Sequence, residues 1–222
     1  MVESFAAHKL IMVTGSGPGA GKSTMTEFLA EQLTAQGVPV RCLREDDAAH
    51  LDAFAPMRES FRKGFPDAVD ALLAASGNLV RESAATPRVH LVDALLPGYH
   101  YLFGLYPALR IASYNLDLYK ALCSMRPMIV YLKSDIESAF RRAVEERGPE
   151  WLGAFLKRIN GHYQTGQHMR TWLPLSRIGD VVSFFEEMDQ LMLRMVGEWA
   201  GRSLVVETRG RTVHEVKMML SG

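Results

Sequence analysis

The feature that most constrains the fold is a glycine-rich turn between an apolar segment and a helical one. Leu10 to Val13 predicts a buried strand, four glycines follow between Gly15 and Gly21, and Lys22-Ser23-Thr24 opens a segment with helical periodicity. Glycine lets successive backbone N–H groups turn toward one point, and the N-terminus of the helix adds the positive end of its dipole. Strand, loop and helix together predict a phosphate-binding loop.

This loop assigns roles to a set of adjacent residues. The predicted nucleotide contacts come from Gly17, Pro18, Gly19, Ala20, Gly21, Lys22, Ser23 and Thr24. In such loops the lysine, here Lys22, reaches the β- and γ-phosphates of ATP, and the Ser23 hydroxyl binds Mg²⁺. Ser16 stands where the strict pattern has glycine, a place that serine can occupy if its φ is negative. The alternative interpretation is a glycine-rich loop followed by a chance Gly-Lys-Ser.

Composition argues against several classes of function. The 222 residues are enough for one domain, spanning 1–222, with a buried core. The formal net charge is zero, so no basic excess predicts binding to a nucleic acid polymer. We expect no membrane segment, because no apolar run approaches spanning length, and no signal peptide. Cys42 and Cys123 lack metal-type spacing and are expected to be buried, reduced thiols of a cytoplasmic protein.

The remaining chain alternates strand-like and helix-like segments. Further strands are predicted at residues 38–43, 89–93, 128–132 and 203–207. This alternation predicts an α/β fold, in which a parallel sheet carries helices on both faces and the crossovers are right-handed. Inside one helical segment, Gly77 is expected to end a helix at 67–75 before a shorter one at 79–85.

Acidic residues follow two of the predicted strands. Asp93 ends the third strand and is predicted to hold Mg²⁺, directly or through water; a turn cap is the alternative. Glu45, Asp46 and Asp47 follow the second strand, at the edge where α/β sheets bind ligands. One of these three is predicted to be the general base toward an acceptor hydroxyl, with a solvated acidic turn as the alternative. The choice between Glu45 and Asp46 stays open, with a preference for Glu45.

Arginines on the helix after the fourth strand form a third group of candidates. Arg141, Arg142 and Arg147 lie on this helix or just after it. Arg142 or Arg147 is predicted to contact the phosphates as part of a lid, where a guanidinium stabilises transition-state charge. The alternative is a solvated, salt-bridged helix face.

Aromatic residues and two histidines complete the candidates. The stretch from Tyr99 to Phe103 predicts either the walls of an acceptor pocket or core packing, and we expect core packing for Phe103. His90 lies within a strand and is expected to be a core histidine with its hydrogen bonds satisfied. His100 has no partner visible in the sequence and is left without a role.

Residues Val130 to Gly148 resemble a segment of deoxynucleoside kinases and thymidylate kinases. In that family a Tyr-Leu strand end, here Tyr131-Leu132, precedes an arginine-bearing helix and a short lid. Residues 151–167 are similar to the helix after the lid and residues 205–210 to the adenine-side loop, while Glu45-Asp46 falls where deoxynucleoside kinases place their catalytic Glu. The resemblance implies a three-layer P-loop NTPase fold. It has a five-stranded parallel sheet in the order 2-3-1-4-5 and a short helical lid at about residues 141–152.

Two features depart from the family. Its acidic residue and arginine at the end of the third strand are here Asp93-Ala94, so the arginine is missing. Deoxynucleoside kinases read the base with a Gln amide between the second and third strands, and this sequence has no Gln from Val38 to Tyr163. The fold is therefore better supported than the substrate.

The sequence as a whole predicts a kinase that uses ATP and Mg²⁺ and acts on a small hydroxyl-bearing substrate. The acceptor is a nucleoside or nucleoside monophosphate, or alternatively a non-nucleoside alcohol such as a sugar or an antibiotic. A nucleotide-dependent switch is the alternative of another class, although the Asn-Lys-x-Asp motif typical of guanine-specific switches is absent. A homodimer formed through the helix at 108–125 is a further hypothesis.

Overall fold

The sheet of this computed structural model is parallel throughout and has β1 at its centre. The structure describes residues 5–45, 50–163 and 174–221. The strands are β1 (Leu10–Gly15), β2 (Val40–Leu43), β3 (Val89–Asp93), β4 (Pro127–Lys133) and β5 (Arg202–Glu207). Their order is β2-β3-β1-β4-β5. The predicted α/β fold and the predicted strand order are confirmed.

The register brings the functional candidates to one edge of the sheet. β1 pairs with β3 on one side, where Val13 lies beside Asp93, and with β4 on the other, where Gly15 lies beside Leu132. Because all strands are parallel, their carboxyl ends meet at this edge. The glycine-rich loop follows β1 at this edge, and β3 and β4 lie on opposite sides of β1. Open α/β sheets bind ligands at this position.

Burial explains why the central strands are almost wholly apolar. All residues of β1 and β3 are buried, and each strand contributes side chains to both faces of the sheet. Leu10 and Met12 belong to the core cluster on one face, whereas Ile11 and Val13 belong to the cluster on the other. A strand covered on both faces lacks the polar alternation of a half-exposed strand.

Helices cover both faces of the sheet. They are α1 (Lys22–Ala35), α2 (Ala55–Arg62), α3 (Ala68–Ala84), α4 (Tyr99–Leu102), α5 (Ala108–Leu122), α6 (Ile136–Arg147), α7 (Pro149–Tyr163), α8 (Ile178–Gly197) and α9 (Val213–Ser221). In the described part of the chain, no helix combines the length and the apolar character needed to cross a membrane.

The predicted helix break at Gly77 is wrong. α3 runs without interruption from Ala68 to Ala84 and contains Gly77 in its interior. Its buried stripe includes Leu72, Ala75 and Leu79, which lie on either side of the glycine. Packing of such a stripe outweighs the cost of about 1 kcal/mol that glycine brings to a helix interior.

The two cysteines are less buried than expected. Cys42 is half-buried in β2 and Cys123 is exposed just after α5, and both are unpaired thiols. The prediction of two buried cysteines is therefore wrong for Cys123. Its neighbours along the chain include apolar residues, but Cys123 itself is exposed and does not belong to the core cluster that holds Leu122.

His90 is buried as expected, but its hydrogen-bonding potential is not satisfied. The residue lies in β3 between Leu10 of β1 and Arg41 of β2 and is 1% exposed. Neither ring nitrogen has a hydrogen-bond partner among the described residues. Burial, together with the smaller effects of the Arg41 and Arg88 charges, lowers the pKa of His90 to about 4. His90 is therefore neutral in the folded protein at neutral pH.

This neutrality makes stability depend on pH. The unfolded chain binds a proton at His90 as the pH falls through 6.5, but the folded chain does so only near 4. The stability that neutral His90 contributes is fully present above pH 6.5 and is lost as the pH falls toward 4. At pH 5 the loss in the free energy of unfolding due to His90 is about 2 kcal/mol. His90→Leu should reduce by that amount the loss of unfolding free energy between pH 7.5 and 5, measured by urea denaturation. The exposed His214→Leu serves as the control, and equal losses in wild type and His90→Leu would contradict the account.

Candidate active site

The glycine-rich loop has the backbone geometry that its glycines predict. Gly19 and Gly21 have φ values of 75° and 86°, in the region that side chains disfavour, and Gly21 directly precedes α1. Ser16 is fully buried and is not among the residues with positive φ, so serine is compatible with its place. A Cβ on Gly19 would lie 2.1 Å from the carbonyl oxygen of Ala139 in α6. The loop is therefore packed directly beneath α6.

Lys22 lies at the centre of a group of charged side chains. Its Nζ donates a hydrogen bond to the Gly17 carbonyl at 2.8 Å, across the loop. Burial lowers the pKa of Lys22, while the carboxylates of Glu45 and Asp93 raise it and the Arg147 guanidinium lowers it. The structure thus brings together four residues predicted from separate parts of the sequence.

Ser23 and Asp93, the two residues predicted to bind Mg²⁺, lie in direct contact. The Ser23 hydroxyl donates to Oδ2 of Asp93 at 2.6 Å, joining the start of α1 to the end of β3. Asp93 is 4% exposed, and burial raises its pKa, whereas the Ser23 hydrogen bond and the Lys22 charge lower it. One hydroxyl and one carboxylate beside a phosphate loop suit Mg²⁺, which takes its other ligands from phosphate oxygens and water. The described residues hold no cluster of three acidic, histidine or cysteine side chains suited to a metal.

Glu45 faces this group from the end of β2. It directly follows Leu43-Arg44, and its carboxylate acts on the pKa values of Lys22, Asp93 and His100. The Tyr101 hydroxyl donates to Oε1 of Glu45 at 3.3 Å. Asp46 and Asp47 lie outside the described residues. Among the described residues, Glu45 is the acidic candidate after β2, and its charge acts on Lys22.

The three lid arginines differ in their surroundings. Arg147, at the end of α6, lies with its guanidinium carbon 5.0 Å from the ring centre of Trp151, and its charge lowers the pKa of Lys22. Arg142 is exposed and its charge acts on Asp135, just before α6. Arg141 pairs with Glu137 at 2.7 Å on the helix surface. The structure places Arg147 with the charges around Lys22, whereas Arg141 matches the alternative of a salt-bridged helix face.

The aromatic stretch around α4 divides between the core and the site. Tyr99 is fully buried and its hydroxyl bonds to Asn115, and Phe103 packs on Phe184 with ring centres 5.3 Å apart. The core interpretation of Phe103 is confirmed. Tyr101 instead extends toward Glu45. Among the described residues of the stretch, Tyr101 reaches the candidate site together with His100, whose ring centre lies 3.8 Å from that of Tyr101 and whose pKa responds to the charges of Glu45 and Lys22.

Two residues that the sequence analysis missed stand beside Tyr101. The Phe65 ring stacks on Tyr101 with centres 5.7 Å apart, and His162 contacts Phe65 edge-on with centres 4.8 Å apart. Phe65 follows α2 and His162 lies near the end of α7. Their separation along the chain gave no local pattern to detect. In the sequence, Gly64 and Pro66 on either side of Phe65 indicate a turn, and the structure gives Gly64 and Phe65 φ values of 80° and 58°.

The comparisons with known proteins bear on the fold. No family model matches the chain, and neither does any curated protein. Among solved structures, deoxyadenosine kinase from M. mycoides with bound dATP matches with a TM-score of 0.51 and 14% identity, covering 96% of this chain and 97% of that one. Thymidylate kinase from Candida albicans matches with a TM-score of 0.53 and 14% identity, covering 96% and 89%. The chain therefore has the P-loop kinase fold of these proteins.

Proposed function

We propose that the protein is a kinase that transfers the γ-phosphoryl group of ATP to a hydroxyl of a small-molecule acceptor. The observation that carries the proposal is the meeting of Lys22, the Ser23–Asp93 pair and Glu45 at the carboxyl edge of the sheet. A phosphate loop, a metal pair and a carboxylate base are the parts that phosphoryl transfer needs. Nucleotide binding and kinase activity also fit the two structural matches.

The chain's own residues would work mainly by positioning and by charge. The backbone N–H groups of residues 17–24 would hold the phosphates, and the Lys22 ammonium would move from the Gly17 carbonyl to the β- and γ-phosphate oxygens. Arg147 would add positive charge where the transition state develops negative charge. Glu45 would orient the acceptor hydroxyl and take its proton. Mg²⁺, held by Ser23 and Asp93, would neutralise phosphate charge.

A lid is a further part of this proposal. The helical break at Gly148, between α6 and α7, falls inside residues 141–152. Arg142 and Arg147 both lie in this segment, so closure over the nucleotide would bring further positive charge to the γ-phosphate. We propose residues 141–152 as that lid within one domain covering 1–222.

The acceptor is proposed to be a nucleoside or a nucleoside monophosphate, with a non-nucleoside alcohol as the second candidate. The half-buried rings of His100 and Tyr101 beside Glu45, backed by the buried Phe65, offer a surface to a planar acceptor. The absence of Gln between residues 38 and 163 keeps a sugar or a hydroxylated antibiotic in consideration. Unpaired cysteines and a use of ATP both fit a cytoplasmic location.

The test is transfer of label from γ-labelled ATP with MgCl₂ to deoxyadenosine, thymidine, thymidine monophosphate, sugars and hydroxylated antibiotics. A kinase transfers label to one acceptor class, and omission of Mg²⁺ abolishes the transfer. A nucleotide-dependent switch instead releases labelled phosphate slowly without any acceptor. Release of phosphate with no labelled acceptor would overturn the kinase proposal in favour of the switch.

We also propose a homodimer formed through α5. Leu109 and Leu116 are 83% and 50% exposed and lie two turns apart on the same face of this helix. A second copy that covers this face would remove both side chains from water. The double variant Leu109→Asp and Leu116→Glu should convert a dimer to a monomer in solution scattering, because it buries two charges in the interface. A monomeric mass for the wild type would contradict the proposal.

A further inference from the structure

We infer that Tyr101 is a positioning residue that holds Glu45 in the orientation its role as base requires. The inference rests on the proposed function, because it assigns a partner to the base of that reaction. Glu45 is exposed on the turn that follows β2. An exposed glutamate samples several rotamers, whereas a general base must stay within hydrogen-bond distance of the hydroxyl that it serves.

The contact between the two side chains has the polarity that this role needs. The Tyr101 hydroxyl donates to Oε1 of Glu45 at 3.3 Å. An ionised carboxylate only accepts hydrogen bonds, so a phenol on one oxygen leaves the other oxygen to receive the acceptor's proton. A base that is itself oriented by a third group is a recurring arrangement in activated catalytic pairs.

Tyr101 can orient Glu45 because its own ring is held from several sides. The Phe65 ring lies parallel to it within 25°, with centres 5.7 Å apart, and the His100 ring lies on it with centres 3.8 Å apart. The His162 ring of α7 also lies against Tyr101, with ring centres 6.5 Å apart. The turn after α2, the helix α4 and the end of α7 therefore converge on this one tyrosine.

Phe65 adopts a backbone conformation that is costly for an aromatic residue. Its φ is 58°, in the left-handed region that residues with a side chain disfavour. The residue is nevertheless 5% exposed and fixed by contacts with Tyr101, His162 and Phe61. Strained residues persist where the surrounding packing over-determines them, and they concentrate at functional sites. Here the strained turn places the ring that supports Tyr101.

The imidazoles of His100 and His162, which lie around Tyr101, carry no positive charge that would attract the Glu45 carboxylate. Burial lowers the pKa of both His100 and His162 to about 4, despite the opposing effect of Glu45 on His100. Both rings are neutral at pH 7. They can therefore pack around Tyr101 as uncharged aromatic surfaces.

Tyr101→Phe is the variant that tests the inference, because it removes the hydroxyl and keeps the ring. With the panel member that wild type phosphorylates, we expect kcat to fall about 10- to 100-fold, since small misplacement of a catalytic group is costly. KM for ATP should not change, because the phosphate loop is untouched. Tyr119→Phe, whose ring packs on Trp199 away from the site, should match wild type.

The outcomes separate this inference from the proposed function. A Tyr101→Phe variant with wild-type kcat, alongside a Glu45→Gln variant that is impaired, would overturn the inference and leave the kinase intact. If wild type phosphorylates no panel member, NMR couplings of the Glu45 side chain decide the inference alone. One rotamer in wild type and averaging in Tyr101→Phe would support it, whereas the same behaviour in both proteins, averaged or fixed, would overturn it.

Discussion

Lys22→Ala is expected to lower phosphoryl transfer by about 10³-fold, the scale at which loss of one preorganised charged group slows such reactions. The ammonium lies among Glu45, Asp93 and Arg147 and bridges the loop to the Gly17 carbonyl. Its removal leaves the γ-phosphate without its central cation and the loop without its internal bond. Initial rates with γ-labelled ATP and saturating acceptor measure the effect.

The control for this variant is a lysine outside the site. Lys120 is exposed on α5 and pairs with Asp117 at 3.3 Å. Lys120→Ala should retain the wild-type rate, because surface ion pairs contribute little. A Lys22→Ala enzyme that keeps more than a tenth of the wild-type rate would contradict the assignment of Lys22.

Gly19→Ala is expected to abolish ATP binding and to destabilise the protein. The added Cβ would lie 2.1 Å from the Ala139 carbonyl oxygen, far inside contact distance, and the φ of 75° adds strain of about 1–2 kcal/mol. Since backbone of α6 cannot yield as a flexible side chain does, the loop must move and its N–H groups lose their common direction. Calorimetric titration with ATP and thermal unfolding measure the two effects.

Two other glycines separate the effect of the clash with α6 from the effect of the strained φ. Gly21 has a φ of 86° but nothing within 4 Å of its added Cβ, so Gly21→Ala tests the strain without the clash. Gly153 lies in α7 with open space around it, and Gly153→Ala should be neutral or stabilising by up to about 1 kcal/mol. Equal loss of ATP affinity in Gly19→Ala and Gly21→Ala would show that contact with α6 is not the cause.

The parts of the fold that local patterns determine could be predicted from the sequence. Apolar runs placed the strands, and the glycines with Lys22 placed the phosphate loop, because each depends on residues close along the chain. Asp93 could be predicted for the same reason, because it is the last residue of an apolar strand. The strand order came from the resemblance to a known fold rather than from these patterns.

The remaining features depend on contacts between distant segments. Phe65 and His162 meet Tyr101 only when α2, α4 and α7 are assembled, so no spacing indicated them. A helix break was predicted at Gly77 because the low helix propensity of glycine was considered without the buried stripe of α3. The surroundings that leave both His90 ring nitrogens without a partner among the described residues involve β1 and β2, which are far from His90 in sequence.

The most direct test of the central claim is the fate of the γ-phosphoryl group when the acceptor panel is added to labelled ATP. We predict that label appears in one acceptor class, that the rate rises well above that of ATP alone, and that Lys22→Ala and Glu45→Gln lose this transfer. Label found only in inorganic phosphate, at a rate that no acceptor changes, would contradict the account.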